Sequence, residues 1–146
     1  MNQKAFLEII ASIFIILFLY TGISKLMDFS TFKEQIAASP LLSSISYSLA
    51  VLLPIVEIIV AILLFIPKWR LPGLYASLSL MLIFTVYIIG ILNFSQKLPC
   101  SCGGVLELLS WKDHLIFNCL LIVLAILGIR IANKILPLTS QEQSAH

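Results

Sequence analysis

The sequence predicts an all-α membrane protein: a four-transmembrane-helix bundle with a short interfacial helix in the first outer loop. Three observations carry this. Of 146 residues, 60% are hydrophobic and only 11% charged, with a mean hydropathy of +1.09, whereas a soluble domain needs more charge to cover its surface. Four apolar stretches are long enough to cross a hydrocarbon core of roughly 30 Å at about 1.5 Å per helical residue. Between the first two lies "STFKEQI", whose apolar residues recur at helical spacing. The net charge of +2 is scattered and forms no Lys or Arg run, so nucleic acid is not an expected partner and the lipid bilayer is.

The first span is expected from Ala5 to Ile23, with Glu8 near its start. It is too long for the apolar region of a signal peptide, and "TGISKLMDF" offers no small-x-small cleavage site, so a retained span is expected. In the following loop, Thr31 and Glu34 are spaced as a capping box. Phe29, Phe32 and Ile36 share one face, suiting a helix in the interface that Ser39-Pro40 ends. Two readings of this helix stay open, a lid packed on the bundle or a holder of substrate or partner. The second span, Ser48 to Ile66, contains Pro54 and Glu57; the third, Pro72 to Phe94, contains no charged residue. The fourth runs from Lys112 to Ala132, where Arg130 and Lys134 can snorkel to the interface. Residues 1–136 thus form one transmembrane domain, and 137–146 a short polar tail expected to be disordered.

Four spans put both termini on one side. That side holds Lys4, Lys68, Arg70, Arg130 and Lys134, the other Lys25, Lys33, Lys97 and Lys112. The excess of one, with two basic residues in the tight "PKWRLP" turn, points to cytoplasmic termini. In a bacterial inner membrane this places Cys100 and Cys102 on the periplasmic side, where disulfides persist.

Those cysteines lie in "LPCSCGG". A Cys-x-Cys disulfide closes a small, strained ring and is easier to reduce than a relaxed one. Gly103 and Gly104 supply the backbone freedom such a turn requires. Downstream, Ser110 and Asp113 read as the N-terminal cap of the fourth helix, and Trp111 as an interfacial anchor. A helix N-terminus nearby favours a thiolate. His114 can exchange a proton with a thiol or a bound cofactor, and Asn118, one turn on, shares its face. Three readings of the pair stay open: a redox-active couple, a fixed structural bond, and metal-bound or inert thiols. With one nearby His and no second Cys pair, no metal site is expected. Cys119 reads as a small apolar residue or, less simply, a thiol relay.

Glu57 sits near the middle of a span, where a carboxylate must be protonated, paired or hydrated. It reads either as a functional carboxyl or as a neutral acid bonded to another helix, with Tyr87 and Thr85 as candidates. Pro54 would kink the helix and free a carbonyl nearby. Lys25 is expected to pair with Asp28, three residues on, or to add positive potential near the thiols.

"TGISKLMDFSTF", with Gly22, Lys25, Asp28 and Phe32, then "LPIVEI", "CSCGG" and "SWKDHLIFN", together resemble the membrane family that contains the methylamine utilisation protein MauE and the DoxX-like proteins. The resemblance covers nearly the whole chain. It implies a four-helix membrane protein associated with thiol–disulfide chemistry. For MauE it implies the maturation of a disulfide-rich periplasmic dehydrogenase beside a thioredoxin-like partner. The architecture is also similar to the vitamin K epoxide reductase family, four helices around a quinone. That family uses Cys-x-x-Cys where this chain has Cys-x-Cys.

The leading expectation is a membrane thiol–disulfide redox protein. Cys100, Cys102 and His114 would carry the chemistry, and the thioredoxin-fold partner would be periplasmic. The one cofactor this reading admits is a quinone, held near Glu57, Asn118, Trp111 and Lys25. The alternative is a non-enzymatic assembly or scaffold subunit with a structural disulfide. A third, a carrier using Glu57, is ranked last because no internal repeat is apparent.

Overall fold

The apolar stretches become five α-helices in the computed structural model, which describes residues 2–37, 42–94 and 111–145. They are α1 (Gln3–Met27), α2 (Phe29–Ala37), α3 (Ser46–Phe65), α4 (Arg70–Phe94) and α5 (Trp111–Ser144). Single 3₁₀ turns, Ser43–Ile45 and Pro67–Trp69, precede α3 and α4. Four of these helices are long and apolar enough to cross a membrane, all but α2.

Their ends follow local chemistry. Asn2 caps α1, its side-chain oxygen accepting from the Lys4 N–H at 3.3 Å. The guanidinium of Arg70 donates to the Leu64 carbonyl at 3.2 Å, satisfying an orphan acceptor near the end of α3. Pro72 falls in the first turn of α4, where its missing N–H is not needed.

The helices close a ring in the order α1, α3, α4, α5, with the widest contacts between α1 and α3 and between α4 and α5. In a bilayer the lipid is as apolar as the core, so this packing rests on van der Waals contact and close approach. Phe14 and Phe18 of α1 fill the centre with Ile10, Leu64 and Leu74. Ile16, Phe65, Val86 and Leu120 point outward, the apolar outer surface that lipid requires. Gly22 lets α1 and α3 approach closely. A Cβ there would stand 3.1 Å from Ile58 Cγ1 and 3.3 Å from the Pro54 carbonyl oxygen.

Helix α2 forms where a short helix was expected, but its start differs. Asp28 ends α1, and its carbonyl accepts the Phe32 N–H at 3.0 Å, opening α2 in the same step. Thr31 is therefore already inside the helix and caps nothing. Phe32 and Ile36 are buried against Ala50 of α3, with Phe29 alongside, so α2 packs on the bundle. Phe29 also meets Tyr47 edge to face, ring centroids 6.2 Å apart. Ser39 and Pro40 lie outside the described residues.

The polar tail, expected to be disordered, instead continues helix α5 to Ser144. A continuing helix keeps backbone donors and acceptors bonded internally at the membrane surface, which an irregular chain does not.

Candidate functional site

Close approach of α1 and α3 at Gly22 sets up the polar centre of the molecule. Lys25 lies one turn beyond Gly22 on the same face of α1, and Glu57 lies one turn beyond Pro54 on α3. The Lys25 ammonium donates to Glu57 Oε1 at 2.5 Å, with the two side chains only 5% and 1% exposed. Lys25 therefore does not pair with Asp28. The Asp28 backbone leaves helical geometry (φ −121°, ψ 50°) and the residue is exposed, whereas the Lys25 side chain runs inward. Nor is Thr85 the partner of Glu57, since its hydroxyl donates to the Met81 carbonyl at 2.7 Å within α4.

Aromatic rings complete the ammonium's surroundings. Its nitrogen lies 5.5 Å from the Phe32 ring centroid and 5.3 Å from that of Phe84, both within cation–π range. One lysine thus ties α1 to α2, α3 and α4. Phe32 was visible in the sequence as part of an apolar face and of the Gly22, Lys25, Asp28 pattern, but not as a partner of Lys25. Phe84 carried no signal, being one aromatic among many in an uncharged span.

The fourth span, α5, supplies the remaining wall. His114 and Asn118 are buried on one face of α5, as their spacing predicts. With Thr21, Lys25 and Glu57 they line a cavity of about 30 Å³. The Thr21 hydroxyl donates to the Leu17 carbonyl at 3.0 Å. Glu57 Oε2 and Asn118 Nδ2 are buried without a hydrogen-bond partner. Behind Leu17, Phe117 and Leu121, which belong to both, an open apolar groove of about 550 Å³ runs between α1 and α5.

The expected site residues thus divide. Lys25, Glu57, His114 and Asn118, far apart in sequence, meet at one cavity. Cys100 and Cys102, with Pro99, Gly103, Gly104 and Ser110, lie outside the described residues, as does the side chain of Trp111. Cys119 is a free, exposed thiol, turned outward on α5 beside the buried Asn118. The polar cavity occupies the half of the bundle where α1 and α4 end and α5 begins.

Fold and surface together define an integral membrane protein, a four-helix bundle with a buried ion pair between its first two spans. The family described as "Methylamine utilisation protein MauE" matches residues 3–131, and the chain belongs to that family. The match ends inside α5 and takes in every residue of the polar cavity. No curated protein and no solved structure gives a match.

Proposed function

We propose that this chain is a thiol–disulfide redox protein of the bacterial inner membrane, with both termini cytoplasmic and the Cys100/Cys102 loop periplasmic. It exchanges disulfides with a thioredoxin-fold partner and supports the maturation of exported proteins, in keeping with a family named for methylamine utilisation. A thiolate of one partner attacks the disulfide of the other and forms a mixed disulfide. The second thiolate of the attacking pair then resolves it. Each full exchange moves two electrons and two protons between Cys100/Cys102 and the partner.

The observation that carries this reading is the buried cluster of Lys25, Glu57, His114 and Asn118 in the half of the bundle where α4 ends and α5 begins. An ion pair in a membrane span calls for a functional explanation. A group able to hold or pass protons is what dithiol chemistry at a membrane surface requires. The same two electrons and two protons pass to or from a membrane quinone. The apolar groove between α1 and α5 suits an isoprenoid tail, and a quinone head would reach His114 and Asn118 only if the Leu17, Phe117 and Leu121 wall between groove and cavity opened. Trp111 would anchor this end of α5 at the interface.

The test is the thiol state in native membranes, read with a membrane-impermeant maleimide before and after mild reduction. Two outer-face sites that become taggable only after gentle reduction, and reoxidise when the electron acceptor is restored, are expected. A Cys102→Ser or Cys100→Ser chain should also trap a mixed disulfide with the partner. Thiols that are always free, or that yield only to denaturing reduction, would overturn the redox reading in favour of an assembly subunit.

A further inference from the structure

Two polar atoms are left without partners at the centre of the bundle, and they are complementary. Glu57 Oε2 can only accept when the carboxyl is ionised beside Lys25, and Asn118 Nδ2 can only donate. Glu57 is 1% exposed and Asn118 4%, and both side chains line the same cavity of about 30 Å³. Buried polar groups are hydrogen-bonded in the great majority of folded proteins, through ordered water where no protein group reaches. Neither atom has a hydrogen bond of good geometry to protein among the described residues, although the Thr21 hydroxyl is close enough to the Glu57 carboxyl to interact with it.

Size and chemistry select the occupant. A water needs at least about 10–15 Å³ of such space and two to four polar partners. The cavity meets both conditions and is too small for a quinone ring or a lipid headgroup. A water accepts from Asn118 Nδ2 with a lone pair while one of its hydrogens donates to Glu57 Oε2. We propose that this cavity is a binding site for a single buried water, which joins the α1–α3 ion pair to α5. His114, Lys25 and Glu57 are the titratable groups that face it, with Thr21 on the α1 side. The bundle is then tied across its polar centre by two links, one direct between Lys25 and Glu57 and one through the water to Asn118.

The proposal rests on the geometry of the cavity and not on the thiol chemistry, so either can fail alone. Solid-state NMR of the full chain in phospholipid bilayers, with the asparagine side-chain amides labelled with ¹⁵N, tests it. A water cross-peak at the Asn118 amide protons is expected, as strong as that of exposed Asn2. Absence of a water cross-peak at Asn118 in the unaltered chain, with the Asn2 signal present, overturns the proposal without recourse to any variant. Cross-peaks to lipid or quinone protons in place of water overturn it equally, since the occupant is then not water.

Discussion

Among the described residues two ion pairs join helices, and they differ in nearly everything but charge. At one end Arg70 of α4 donates to Glu8 of α1 at 2.8 Å, with Glu8 61% exposed. In the other half Lys25 and Glu57 meet inside the protein, all but fully buried. The first is open on its Glu8 side, where water and headgroups can solvate the carboxylate, while Arg70 keeps 13% exposure and a second bond to the Leu64 carbonyl. The second has no such recourse, and the same nominal interaction becomes a condition on the fold. What separates them is the packing around Gly22, which draws α1 and α3 together and shuts solvent out.

The largest expected effect breaks the buried pair on one side. Lys25→Met leaves the Glu57 carboxylate buried and alone, and a loss of about 3–5 kcal/mol is expected. Steric-trap unfolding in bicelles would measure it. Combining Lys25→Met with Glu57→Leu should recover most of that loss, because an apolar pair carries no desolvation penalty. A double variant as unstable as the single one would mean that the pair contributes packing and not merely mutual neutralisation.

A smaller effect sharpens the same contrast through geometry. Gly22→Ala places a methyl 3.1 Å from Ile58 and 3.3 Å from a backbone oxygen, and the backbone cannot give way as a flexible side chain does. Overpacking of this kind typically costs about 1–3 kcal/mol. The expected sign is destabilising, by the same unfolding measurement. If the cost is below the resolution of the assay, α1 and α3 have room to separate, and the burial of Lys25 must then be set by Phe32 and Phe84.

The two pairs also mark where the sequence is readable. The four spans were legible to within a few residues at most ends, because apolar length is written directly in the chain. Glu57 was conspicuous for the complementary reason, as a carboxyl where charge is costly. Its partner was not legible: Asp28 is near Lys25 in sequence, and only the packing of α1 on α3 reveals that Glu57 is nearer in space. His114 and Asn118 could be placed on one face of one helix, since helical periodicity is local. That this face would meet Lys25 and Glu57 depended on the ring order of the helices, which no periodicity encodes. Thr21 and Phe84 were missed for that reason too, and the persistence of α5 beyond Pro137 because a polar composition does not by itself forbid helix.

The smallest expected effect lies at the exposed pair. Glu8→Gln removes one charge but leaves the Arg70 bond to the Leu64 carbonyl intact, so the end of α3 stays capped. Arg70 can turn its freed N–H groups to water or lipid phosphate, and a glutamine oxygen can still accept one of them. A change of about 0.2–1 kcal/mol is expected, as for other solvent-exposed pairs. It should shrink further as salt is raised, whereas the cost of Lys25→Met should hardly respond. Unfolding series of both variants at low and high ionic strength would compare the pairs directly. A Glu8→Gln cost that matched Lys25→Met and ignored salt would mean that the two ends of the bundle are equally dry, and that burial within the protein is not what distinguishes them.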